Sequence, residues 1–273
     1  MIRKVGETVP SSLWSLGFDT LWQPAMIVQS VLLQALYLLV TVGPLRRWFP
    51  GATRPTGLQL AAFLGGLWLL YFSFGSPIDV ISDDYLFSVH MIQHELETML
   101  MVPLLIYGTP AWLLRPVLQP RLVLQTMKVL TDPLFAPLPF GITFSLFHIP
   151  SVYGFTLSHE WFHFIEHVLF FLTAVVMWWP LTSTSEALPR LTVGKRILYI
   201  FYGSGMTMPV TVLLFVAQQP WYNFYAQSAH MWGLSALGDQ QLGGVIMFVT
   251  MLVIYIPLAL AEFVKYDDKS WYE

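Results

Sequence analysis

Residues 159–181 read HEWFHFIEHVLFFLTAVVMWWPL. Beyond Glu166 this stretch carries no charge, and it is long enough to cross a bilayer, which takes about 20 apolar residues. Trp161 and Trp178 stand about 26 Å apart along a helix rising 1.5 Å per residue, close to the bilayer core thickness. The stretch therefore reads as a membrane-spanning helix with aromatic ends. Its first turns carry His159, His163 and His167 at four-residue intervals, with Glu166 on their face.

The whole chain agrees with a membrane setting. It has 273 residues, of which 56% are hydrophobic and only 11% charged, against about 25% charged in a soluble domain. Disorder needs low hydrophobicity and high charge, so it is excluded. A net charge of −3 argues against a nucleic-acid partner. The absence of cysteine excludes disulfides, thiolate metal sites and thiol redox chemistry.

Six more spans are expected around the first, giving an all-α protein of seven transmembrane helices in one domain, 1–273. The seven run roughly over 25–43, 57–75, 86–107, 134–154, 159–181, 197–217 and 242–263. No signal peptide, internal repeat or low-complexity linker stands out. Residues 112–130 set Trp112, Leu113, Leu114, Val117, Leu118 and Leu122 against Arg115, Arg121 and Lys128, the pattern of a helix lying on the interface.

The cations orient the bundle. Eleven of the thirteen Lys and Arg residues follow spans one, three, five and seven, while the loops after spans two, four and six have none. The positive-inside rule then puts the N-terminus outside and the C-terminus in the cytoplasm. Span 134–154 contains three prolines, yet removing it breaks the alternation.

On this topology all seven histidines fall in the outer half. His90 and His94 are i and i+4 on span three, with Glu97 and Met101 continuing their stripe. His148 lies toward the outer end of span four, and His230 is read as a hydrogen-bonded core group. Two helices thus present imidazole ladders at similar depth. Imidazole suits copper, zinc, iron and nickel, and thioether favours Cu(I). Ligating imidazoles give their other N–H to carboxylates or carbonyls, a role suited to Glu97, Glu160 and Glu166. Glu95 points about 140° away from His90 around the helix. Met91, Met99, Met206 and Met208 are read as core packing.

His159-Glu160-Trp161-Phe162-His163 is a literal H-E-x-x-H, and His163 to His167 is an H-x-x-E-H. In that chemistry two imidazoles hold zinc and the glutamate is the general base. The pattern arises easily in a histidine-rich helix, and it leaves His90 and His94 unexplained.

His90-Met91-Ile92-Gln93-His94 followed by residues 103–110, PLLIYGTP, resembles the third-span signature of the polytopic CtaG family, assembly factors of caa-type cytochrome c oxidases. His148-Ile149-Pro150, the His163 and His167 pair and Trp178-Trp179-Pro180 resemble its next signature. Asp239-Gln240-Gln241-Leu242-Gly243-Gly244 resembles its last, at the mouth of span seven. The likeness runs in order from about residue 60 to residue 265. Glu95, Glu97, His159 and Glu160 look particular to this chain.

The resemblance implies a seven-helix plasma-membrane protein that assists oxidase maturation, with copper supplied to the oxidase from the outer face. The expected ligands are His90, His94, His163 and His167, joined by His148 and His159. Glu97, Glu166 and Glu160 would orient imidazoles, Met101 would assist, and Asp239 would line the mouth. Copper is the expected metal, with zinc as the alternative. Expected partners are oxidase subunits, the lipid bilayer and a copper donor protein. Catalysis is not required. Two other readings stand beside this one, an intramembrane zinc hydrolase and a b-type haem protein.

Overall fold

The protein is described here from a computed structural model, over residues 13–226 and 228–270. Every regular element among the described residues is helical. Five helices are long and apolar enough to cross a membrane, and two bent pairs raise this to seven if each pair counts as one span. After a short α1 (Phe18–Trp22), α2 (Pro24–Thr41) and α3 (Gly57–Phe74) form an antiparallel pair. Pro24 starts α2, where its missing N–H costs nothing. Thr56 and Gln59 close a capping box on α3, at 3.2 and 3.0 Å.

Residues Pro77–Asp84 form α4, a short helix capped by the Ser76 hydroxyl. It leads into α5 (Phe87–Gly108), the first long histidine helix. The chain then bends by 94° into α6 (Ala111–Leu118), followed by α7 (Arg121–Leu130). The region 112–130 is therefore two helices, broken at Gln119 and Pro120 and turned away from the bundle axis. The span expected at 134–154 is also two helices, α8 (Pro137–Phe147) and α9 (Pro150–Leu157), bent by 78°. Pro150 cannot continue α8 and instead opens α9.

The second histidine helix is α10 (Glu160–Thr182). Next come α11 (Val193–Ser204) and α12 (Met208–Val216), interrupted at Gly205–Thr207, and a long α13 (Ala236–Ser270). The core is made where α5 packs on α3, α10 and α13, and where α10 packs on α8. Outward faces are apolar and exposed: Val28, Leu32, Leu36 and Leu39 on α2, and Leu213 and Phe215 on α12, among others. Water would not tolerate so much of this surface, whereas lipid tails are as apolar as leucine.

In α5 the helix widens to a π turn over Leu96–Met101. The N–H of Val102 bonds to the Glu97 carbonyl, and residue 103 is proline and has no N–H. The Thr98 carbonyl is left to the indole Nε1–H of Trp178, at 2.8 Å. Trp179 likewise donates to the Leu188 carbonyl at 3.1 Å. Both indoles are buried, so this pair anchors the core and is not the interfacial belt that the sequence suggests. Trp161, at the other end of α10, is exposed as expected.

The six-residue stretch at 239–244 also has a packing role. Both carboxylate oxygens of Asp239 accept backbone N–H groups from the first turn of α5, Phe87 at 2.8 Å and Ser88 at 3.0 Å. Gln240 accepts from the Trp221 N–H, and the Gln241 amide donates to the Ala217 carbonyl. A Cβ on Gly243 would stand 2.6 Å from the Phe87 ring, so only glycine lets α13 approach α5 here. Asp239 is fully buried and caps the helix that carries His90 and His94; it does not line a mouth.

Candidate metal centre

The two imidazole ladders face each other. His90 and His94 rings lie 4.5 Å apart on α5, and His163 and His167 rings 4.7 Å apart on α10. Across the interface, His90 is 5.7 Å from His163 and His94 is 5.0 Å from His167. α5 and α10 run in the same direction, so histidines in their opening turns meet at one level. Arg115 follows α5 and Arg190 follows α10, beyond their far ends.

Two glutamates close the cluster. Glu97 Oε2 accepts from His167 Nδ1 at 2.9 Å and lies 3.8 Å from His94 Nδ1. Glu166 sits 3.8 Å from His94 Nε2 through one oxygen and 3.8 Å from His163 Nε2 through the other. His163 Nε2 and His167 Nε2 share a contact of 3.1 Å.

Three groups of ligand-capable atoms result: Asp83 with His90 and His163, His90 with His94 and Glu166, and His94 with Glu97 and His167. Within each group the atoms lie within 4.8 Å of one another. Donors around a tetrahedral first-row ion stand about 3.4 Å apart, so modest side-chain shifts would gather each group round one ion.

The polar accounting also fits a cation. Both ring nitrogens of His90 are buried and make no hydrogen bond of normal geometry, and Glu166 Oε2 and His94 Nδ1 are in the same state. Buried polar atoms are otherwise almost always paired. Among the described residues, no Lys or Arg forms an ion pair with Asp83, Glu97 or Glu166. Buried carboxylates without a counter-charge are costly, and a metal ion supplies that charge.

A third element, α4, also reaches the cluster. Asp79 and Asp83 are i and i+4 on one face of this helix, and both border a cleft of about 200 Å³ with Phe74, Glu160, Phe164, His163 and His167. Asp83 Oδ2 lies 3.8 Å from His163 Nδ1. Asp79 is held by the amides of Gln23, at 2.7 Å, and Gln93, at 3.0 Å. Burial raises the Asp79 carboxyl above the usual carboxylate range, and burial with Asp79 and Asp84 nearby pushes Asp83 well above it. The only hint in the sequence is the acidic spacing just after Pro77.

Other expected members do not join the three groups. His148 stacks on Phe144; its Nδ1 meets the Phe144 carbonyl at 2.7 Å and its Nε2 the Met91 sulfur at 3.3 Å. His159 precedes α10 with an extended backbone, is exposed, stacks on Phe155 and bonds the Phe155 carbonyl through Nδ1 at 2.9 Å. The H-E-x-x-H residues are therefore not presented as one helical pair, because the first of them lies outside the helix. Glu160 borders the cleft. Met101 is buried in the apolar core, and His230 is exposed, not the buried group expected.

The helices and this cluster define a multi-pass membrane protein with a buried imidazole–carboxylate centre at one end of its bundle. The chain belongs to a known family: residues 35–267 match the family model described as cytochrome c oxidase caa3 assembly factor, Caa3_CtaG. Comparison with curated proteins and with solved structures gave no match.

Proposed function

We propose that this oxidase assembly factor takes a copper ion into the cluster of His90, His94, His163, His167, Glu97 and Glu166, and passes it to a cytochrome c oxidase subunit. The ion is cargo, so its release matters as much as its binding. The observation that carries this reading is His90, buried between two carboxylate-bearing groups with neither ring nitrogen in a hydrogen bond of normal geometry.

The donor set is imidazole and carboxylate without thiolate, which suits a divalent copper or zinc ion better than Cu(I). The cation distribution supports an outward N-terminus, a cytoplasmic C-terminus and a cluster facing the outer side of a bacterial plasma membrane. An exposed donor protein could load it from there. Transfer is then ligand exchange and needs no catalytic residue.

The test is elemental analysis of the purified full chain after incubation with Cu(II) or Zn(II), beside His94→Ala and His163→Ala. Loss of bound metal in both variants is expected. Metal content equal to that of the unaltered chain in both would end the cluster reading. Optical spectra of the same samples would expose haem as a Soret band. Normal oxidase copper in a strain lacking this gene would end the assembly role while leaving metal binding intact.

A further inference from the structure

We propose that the cluster is a graded path and not one site: Asp83, with His163 and His90, forms an entry position from which an ion moves inward by exchanging shared imidazoles. This inference rests on the metal-binding reading above and adds its route. The three ligand-capable groups overlap in order. The first and second share His90, and the second and third share His94. His94 turns Nε2 toward Glu166 and Nδ1 toward Glu97, each at 3.8 Å, so one ring faces both inner positions and can hand an ion from one to the other.

The groups also differ in exposure. His90, His94 and Glu97 descend α5 by about 10 Å at 1.5 Å per residue. At the top, Asp83 borders the cleft, with its side chain 14% exposed. The second group, His90, His94 and Glu166, is buried throughout, whereas the third holds Glu97 at 2% exposed but returns to the cleft through His167, 12% exposed. Asp83 and Asp79 have different tasks at the entrance. Asp79 is tied by two amides, whereas Asp83 meets Ser82 through Oδ1 at 3.2 Å and turns Oδ2 toward His163. An acidic cleft alone would be an ordinary solvated surface. Here His90, fully buried and without a hydrogen bond of normal geometry, stands in the same group as Asp83 and gives the cleft a destination.

The experiment uses purified full-length protein in detergent, stripped of metal and mixed rapidly with Cu(II), with Zn(II) in parallel. Both the loading rate and the metal held at saturation are read. Asp83→Asn is expected to load about tenfold more slowly, the low end of the rate effects produced by charged clefts, while keeping the ion held by the inner groups. His94→Ala is expected to load quickly but to hold the ion at least tenfold more weakly. For the unaltered chain, raising the salt from about 20 mM to about 500 mM is expected to slow loading severalfold, which needs no variant to fold.

A loading rate unchanged in Asp83→Asn, or unchanged by salt, overturns the entry position. So does an Asp83→Asn protein that loses metal as fully as His94→Ala, since Asp83 would then belong to a single final site. Failure of the unaltered chain to bind either metal overturns the metal reading itself, a result distinct from those.

Discussion

Glu97 and His167, seventy residues apart in sequence, meet at 2.9 Å between Oε2 and Nδ1. The contact joins the two histidine helices at the third ligand-capable group. It also holds one imidazole in a defined orientation, as carboxylates do for metal-bound histidines.

Glu97→Gln keeps the size of the side chain and removes its charge. Metal affinity should fall about 10- to 100-fold, the usual cost of losing such an orienting carboxylate. Competition against a chromogenic chelator measures this directly. Affinity unchanged within about twofold would show that the Glu97–His167 contact is only packing.

His159 and His163 belong to one sequence motif and have separate surroundings. His159→Ala should retain full metal content, because His159 is exposed and bonded to Phe155. His163→Ala should lose it. Parallel elemental analysis separates the two, and loss in His159→Ala would restore the zinc-hydrolase motif as a working unit.

Asp239→Ala should weaken the fold more than the cluster chemistry. It strips two acceptors from the opening turn of α5, which a capping change prices at about 1–2 kcal/mol. A lower melting temperature in detergent is expected, with metal affinity reduced less than by His94→Ala. An unchanged melting temperature would remove the capping role.

At the opposite end of the bundle, Arg196 pairs with Glu262 at 2.7 Å and Lys265 joins at 2.8 Å. Glu262→Ala leaves Arg196 with a buried charge and should cost about 3 kcal/mol or more. Replacing both Arg196 and Glu262 by Met should recover much of the loss. Thermal unfolding of the single and double variants decides this; equal destabilisation would show that the pair acts through packing alone.

Much of the bundle was legible because membrane spans are long, apolar and nearly free of charge. The limits expected for α2, α3 and α5 lie within a few residues of the helices. Histidine spacing identified both ladders and their carboxylates at Glu97 and Glu166. Tertiary context overruled the local patterns elsewhere. The motif at 239–244 looked like a site and is a docking surface, since hydrogen-bond acceptance by Asp239 depends on where α5 starts. Trp178 looked interfacial and is buried, since the π turn and Pro103 leave the Thr98 carbonyl to it.

The sequence by itself determined the apolar setting of this protein, its helical make-up, and two helical faces rich in imidazole. Those properties depend on composition and helical period, which are local. Only the tertiary structure decided that the two faces meet, that Asp83 from α4 completes the upper group, and that His148 and His159 turn to backbone carbonyls instead. Such facts depend on the packing of helices far apart in the chain, and no spacing within one helix encodes them.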